Sequence, residues 1–127
     1  MIYIAAPYSA DTREERRINR WRAILLGRIA TAHGLTPIVL HPSIDEGVYG
    51  LDNDPKEREA GIAAACRIAV RCDAMWALLR DDGSASEGVA REMKAFVGRR
   101  PIIAGTWGGF REIAKGADML AEWEELT

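Results

Sequence analysis

A chain of 127 residues, 48% hydrophobic and 28% charged, is long enough for one domain around one core and ordinary in composition for a globular protein. Its formal net charge of -2 gives no global attraction to nucleic acid or to an anionic membrane. No apolar stretch approaches the ~20 residues of a membrane span. The chain enters a strand at Met1-Ile-Tyr-Ile with no charged leader, so a cytoplasmic location is expected. Cys66 and Cys72 have no Cys or His near enough to complete a metal set. They read as reduced, structural cysteines, and neither a metal nor a cofactor is expected.

Ile2–Ala6 is a short apolar run without alternation, as a central parallel strand requires, and Pro7 ends it. Asp11 or Thr12 can cap a helix, with Glu14 or Glu15 three residues on. Ile18, Trp21, Leu25, Ile29 and Ala32 form one apolar stripe along that helix, and Gly34 stops it. Thr36–Leu40 is a second strand. The segment His41–Pro55 is polar and punctuated by Pro and Gly, so it reads as a long loop. Lys56–Arg71 is an Ala-rich helix, Ala74–Leu79 a third strand, Ser86–Val97 a third helix and Pro101–Ala104 a fourth strand. Trp107-Gly108-Gly109 reads as a turn, and Phe110–Ala114 and Ala117–Leu126 as helices. Strands alternating with helices predict a single α/β domain over 1–127. It is a flavodoxin-like or Rossmann-like three-layer sandwich, with a four- or five-stranded parallel sheet and its ligand at the carboxyl ends of the strands.

Three segments should meet at that edge: Ala5-Ala6-Pro7-Tyr8-Ser9, His41-Pro42-Ser43 and Asp81–Glu92. The last runs from a strand through a Gly/Ser loop into a helix start, the arrangement that binds phosphorylated ligands. Within it Glu92 is spaced with Val89, Met93 and Phe96, at the rim of the face that should be buried. A carboxylate held against apolar surface is costly unless something uses it. The plain alternative is an ion pair with a nearby Arg or Lys. For Ser86 the alternative is simple capping, with Ser84 and Glu87 also arranged as a capping box. Arg13, Arg16, Arg17 and Arg20 form a basic stripe on the first helix. It is either a solvated face beside Glu14 and Glu15 or, toward the helix start, a source of a phosphate contact such as Arg17. His41 is a polar ligand contact or a strand-end residue. Trp21, Trp76 and Trp123 read as core or interface.

Tyr3-Ile4-Ala5-Ala6-Pro7-Tyr8-Ser9 resembles the opening of the nucleoside 2-deoxyribosyltransferase-like superfamily. Ser86-x-Gly88-Val89-x-x-Glu92 resembles the Ser-x-Gly-Val-x-x-Glu motif of its 2'-deoxynucleoside 5'-phosphate N-hydrolase branch, and Asp73 fits the pattern before strand three. The resemblance spans roughly residues 1–105. It implies hydrolysis of the N-glycosidic bond of a nucleoside 5'-monophosphate, with Glu92 as nucleophile and Ser86, with Gly88 beside it, at the 5'-phosphate. Ala6, Pro7 and Tyr8 then line the sugar and base pocket. It also implies a homodimer or higher homo-oligomer, because such sites often borrow residues from a neighbouring subunit. The family's second acid, an Asp in the helix before strand three, falls near Ala65, where Ala63-Ala64-Ala65 offers no carboxylate. Asp82, or Asp81 beside it, is the substitute proton donor. Two other readings stand beside this one: a nucleotide-binding module without catalysis, and a nucleoside deoxyribosyltransferase.

Overall fold

The computed structural model describes residues 1–40, 54–98 and 101–127. Four parallel strands form one sheet in the order β2-β1-β3-β4: β1 Ile2–Ala5, β2 Pro37–Val39, β3 Ala74–Leu78 and β4 Ile102–Gly105. Among the described residues there is no fifth strand. Strand β1 is central and buried throughout, which is why its sequence does not alternate. It pairs with β2 from Ile2 opposite Pro37, and with β3 from Ile2 opposite Ala74.

The period of two along β1 divides the core into two layers. Ile2 and Ile4, with Trp76 and Leu78 of β3, face helix α1 (Arg13–Ala32) and pack on Leu25, Leu26 and Ile29. The same layer takes in Trp107 and Phe110 from the segment after β4, Ala114 of α4 (Arg111–Gly116) and Trp123 of α5 (Leu120–Glu125). Tyr3 and Ala5, with Met75 and Ala77, face the other way. They meet Ala69 and Cys72, in and after α2 (Pro55–Ala69), and Val89 and Phe96 of α3 (Glu87–Phe96). The result is an α/β three-layer sandwich of the flavodoxin-like type.

Thr12 caps α1, its hydroxyl accepting from the Glu15 amide at 3.1 Å. Gly34, at φ +82°, supplies the left-handed residue that turns the chain away from it. Gly27 is there for space, since a Cβ at that position would sit 2.9 Å from the Val39 side chain. The buried face of α1 also carries Ala23, Gly27 and Ala30, so the expected stripe is shifted around the helix: Trp21 is 42% exposed and Ala32 is exposed. Trp21 instead carries the Arg20 guanidinium over its ring at 5.6 Å. Pro55 belongs to α2 rather than to the preceding loop. It occupies the first turn, where its missing N–H costs nothing, and the Asp54 carboxylate caps the helix at the Lys56 amide.

The C-terminal helices are fastened by two tryptophans. Trp107 and Trp123 stack with centroids 6.0 Å apart and planes 12° from parallel. Each indole N–H donates to the other residue's backbone carbonyl, at 3.2 and 3.1 Å. Arg22 of α1 lies over the Trp107 ring at 5.1 Å and donates from Nε to the Leu126 carbonyl at 2.8 Å. No helix among the described residues is long and apolar enough to cross a membrane.

Candidate functional site

Successive connections leave β1 and β3 on opposite faces of the sheet: β1 feeds α1 and β3 feeds α3. The carboxyl ends of these neighbouring strands therefore part around a crevice, the usual ligand position in such sheets. On the α1 side the crevice is a cleft of about 580 Å³ lined by Pro7, Ser9, Asn19, Arg22, Leu78 and Asp81, among others. On the α3 side lies Glu92.

Glu92 is the sole charged side chain buried among the described residues, at 9% exposure. Burial raises its carboxyl from the ordinary 4.5 to about 7, and Tyr3 opposes that rise by acting on it as a hydrogen-bond donor. Tyr3 is fully buried and comes from β1, beneath α3. Its phenol is driven far above its usual range by burial first and by the Glu92 charge second. The two groups influence each other without completing a well-formed bond, because neither Tyr3 Oη nor Glu92 Oε2 has a hydrogen-bond partner of ordinary geometry. A buried carboxylate oxygen with an unfilled hydrogen-bonding position is expensive in a folded protein and is characteristic of a functional site. The other oxygen, Oε1, points back up the helix. A Cβ built on Gly88, one turn earlier, would stand 3.9 Å from it. The absent side chain at Gly88 thus leaves room directly beside the carboxylate.

Ser86 is the cap of α3. Its hydroxyl accepts from the Val89 amide at 3.3 Å, which leaves its own proton free to donate. The expected Ser84–Glu87 box is not formed, because Asp82 takes Ser84: the Ser84 amide and hydroxyl donate to its carboxylate at 2.9 and 2.6 Å. These bonds, the hydroxyl's first, hold the Asp82 carboxyl below its usual value. That suits an acceptor, and the general-acid role expected of Asp82 does not fit it. Asp81 is committed to Arg22 at 3.3 Å.

The remaining expected residues are divided. Ala6 is half-buried against the α1-side core, and Pro7 lines the cleft. The Tyr8 carbonyl accepts from Asn19 Nδ2 at 3.1 Å, which fixes the loop after β1. Arg17 is turned away from this edge: it pairs with Glu14 at 3.5 Å and lines a separate groove with Trp21, Arg28 and Glu122. Arg16 is spent on the Ala10 carbonyl at 2.9 Å. His41 lies outside the described residues. Asp73 binds the N-terminal ammonium at 2.6 Å, at the amino ends of the strands and so at the opposite edge from the crevice. Ala65 packs on the α2–α3 side of the core, and its neighbour Cys66 is half-buried and close enough to feel the Glu92 charge.

Two features of this region were not anticipated from the sequence. Tyr3 was absorbed into an apolar run. The signal available was its hydroxyl, placed one residue out of phase with Ile2 and Ile4 and hence on the opposite face. The second is a pair of ion pairs joining α2 to α3, Arg91 with Glu59 and Arg58 with Glu87.

The model of a family described as a domain of unknown function, DUF7768, matches residues 1–103. The chain belongs to that family. The match takes in all of β1, α1, β3 and α3, and therefore Tyr3, Ser86, Gly88 and Glu92, while Trp107, α4 and α5 with Trp123 lie beyond it. No curated protein matches the chain in sequence.

Proposed function

We propose that this protein cleaves the N-glycosidic bond of a nucleoside 5'-monophosphate, with Glu92 as the nucleophile. The observation that carries the reading is the Glu92 carboxylate itself: nine-tenths buried, with one oxygen lacking a partner, in the helix that follows β3. The similarity of Ser86-x-Gly88-Val89-x-x-Glu92 to the nucleotide N-hydrolase motif supplies the reaction class. Cleavage of this bond develops positive charge at C1', and a desolvated carboxylate beneath that carbon stabilises it. Glu92 then bonds to C1' as the C1'–N bond breaks, and the electron pair leaves on the base. Water attacks the sugar–Glu92 ester and frees the sugar phosphate. Tyr3 is suited to holding the carboxylate in place, and Gly88 to admitting the sugar beside it. The first amides of α3 and the Ser86 hydroxyl suit the 5'-phosphate.

The leaving base needs a proton. Of the donors the sequence offered, Asp82 is held as a carboxylate, Asp81 is paired with Arg22 and the Ala65 position is apolar, which leaves solvent among them. Turnover should then be slow and should favour bases that leave readily. The same deficit favours a second reading, a nucleotide-binding module that holds the monophosphate without cleaving it. A screen of nucleoside monophosphates for released base by chromatography tests the proposal. Base and sugar phosphate in equal amounts support it. Tight binding with no release supports the module, and appearance of a new nucleoside on adding a second base would indicate a transferase.

A further inference from the structure

Helices α1 and α5 flank a groove of about 340 Å³. Its apolar lining is Ile18, Trp21, Ile24, Leu25 and Leu126. One wall is basic, with Arg17 and Arg28 from α1, and the other is acidic, with Glu122 and Glu125 from α5. The separation of sign is set by the sequence, because every charged residue of 117–127 is acidic: Asp118, Glu122, Glu124 and Glu125. Among the described residues no ion pair joins the two walls, and Arg28, Glu122 and Glu125 have no ion-pair partner. Arg17 has only its exposed 3.5 Å contact with Glu14, a kind that contributes little. Trp21 is 42% exposed here, whereas Trp76, Trp107 and Trp123 are each at most 6% exposed. Beside it the Arg20 guanidinium lies over the Trp21 ring at 5.6 Å, and its buried Nε has no hydrogen-bond partner. A large ring left in water among half-buried isoleucines and unpaired charges has the composition of an interface.

The charges decide what fits it. An acidic peptide laid in the groove would meet Glu122 and Glu125, and a basic one would meet Arg17 and Arg28. The complementary surface is apolar at its centre and carries both signs, in the reverse order across its width. The same groove on a second copy of the chain is such a surface. In a two-fold pair residue i meets residue j and j meets i. Rotation about an axis that runs along the groove exchanges its walls. Each basic wall then faces an acidic one, and the two apolar linings meet with the Trp21 rings between them.

We propose that the groove between α1 and α5 is a self-association surface, across which this protein pairs with a second copy of itself. Trp21 is the apolar anchor, and Arg17 and Arg28 of each copy stand against Glu122 and Glu125 of the other. The proposal does not rest on the reading of Glu92, since it uses neither that residue nor α3.

The experiment is sedimentation velocity of the full chain over ~5–200 µM, where the wild type should shift from monomer toward dimer as concentration rises. Trp21→Ala removes the anchor from an exposed position and should raise the dimer dissociation constant about tenfold or more, with an unchanged circular dichroism spectrum. Two charge variants test the pairing of the walls. Arg17→Glu with Arg28→Glu leaves two acidic walls, and Glu122→Arg with Glu125→Arg leaves two basic ones. Each should be monomeric alone over the same range, because like charges then face each other. An equal mixture of the two should regain the dimer, since every wall again meets its opposite. All four positions are exposed, so folding should be preserved, and Trp21→Ala alone decides the matter if a charge variant does not fold. A wild type that stays monomeric would overturn the proposal, as would a dimer indifferent to Trp21→Ala. So would a folded charge variant that dimerises alone as the wild type does, or a mixture of folded variants that remains monomeric.

Discussion

Replacing Glu92 with Gln should stabilise the protein, and by an amount that depends on pH. In the folded state burial raises the Glu92 carboxyl from 4.5 to about 7. Below pH 4.5 it is protonated whether the chain is folded or not, and wild type and variant should be nearly equal in stability. Between 4.5 and about 7 the unfolded chain gives up the proton while the folded chain keeps it, so wild-type stability falls as pH rises. Above 7 the deficit is complete. At about 1.4 kcal/mol per pKa unit it amounts to about 3 kcal/mol, a large part of the stability of a small domain. Glutamine keeps the shape and carries no charge to bury. Urea unfolding of both proteins at pH ~4.5 and ~8 measures the difference, and the thermal midpoint should differ by roughly 10 °C at the higher pH. If Glu92→Gln were neutral or destabilising at pH ~8, the carboxylate would not be strained by burial, and the main reason for assigning it a function would be gone.

A nucleoside monophosphate should bind more tightly than its nucleoside by about 1.5–3 kcal/mol in calorimetry, and Ser86→Ala should remove part of that advantage while leaving nucleoside affinity unchanged. Gly88→Val fills the space beside Glu92 Oε1 and should abolish ligand binding, with a circular dichroism spectrum like that of the wild type. Asp82→Asn should leave any base-releasing rate unchanged across pH ~5–8, because a carboxylate held ionised by Ser84 has no proton to give. Trp123→Phe retains a ring against Trp107 but removes the indole bond to the Trp107 carbonyl, which keeps its bond from the Phe110 amide, and should cost about 0.5–1.5 kcal/mol in chemical denaturation.

What could be read in the sequence was what short stretches decide for themselves. Every strand falls within a residue or two of its expected span, because an unbroken apolar run closed by Pro, Gly or a charged residue has few other solutions. The cap of α1 at Thr12 and its end at Gly34 are equally local. The candidate nucleophile was visible because Glu92 breaks the pattern of its own helix face. Choices between near neighbours were less legible. Ser84 and Ser86 both stand before α3, and the contest is settled by Asp82, which draws Ser84 into its own turn. Arg17 and Trp21 are one helical turn apart on α1, and the sheet takes a slightly different face from the one their spacing favours, leaving both outside. Long-range partnerships could not be read at all. Tyr3 beneath Glu92, the reciprocal Trp107–Trp123 bonds and the Arg91–Glu59 fork each join residues far apart in sequence, and only the packed fold brings them together.

The most direct test of the central claim is the rate of base release from a nucleoside 5'-monophosphate by the wild type and by Glu92→Gln, with folding of both verified. An essential nucleophile has no substitute in its site, so the variant should be slower by orders of magnitude, and the wild-type rate should rise with pH through about 7 as the carboxyl ionises. A Glu92→Gln protein that kept most of the wild-type rate would contradict the account.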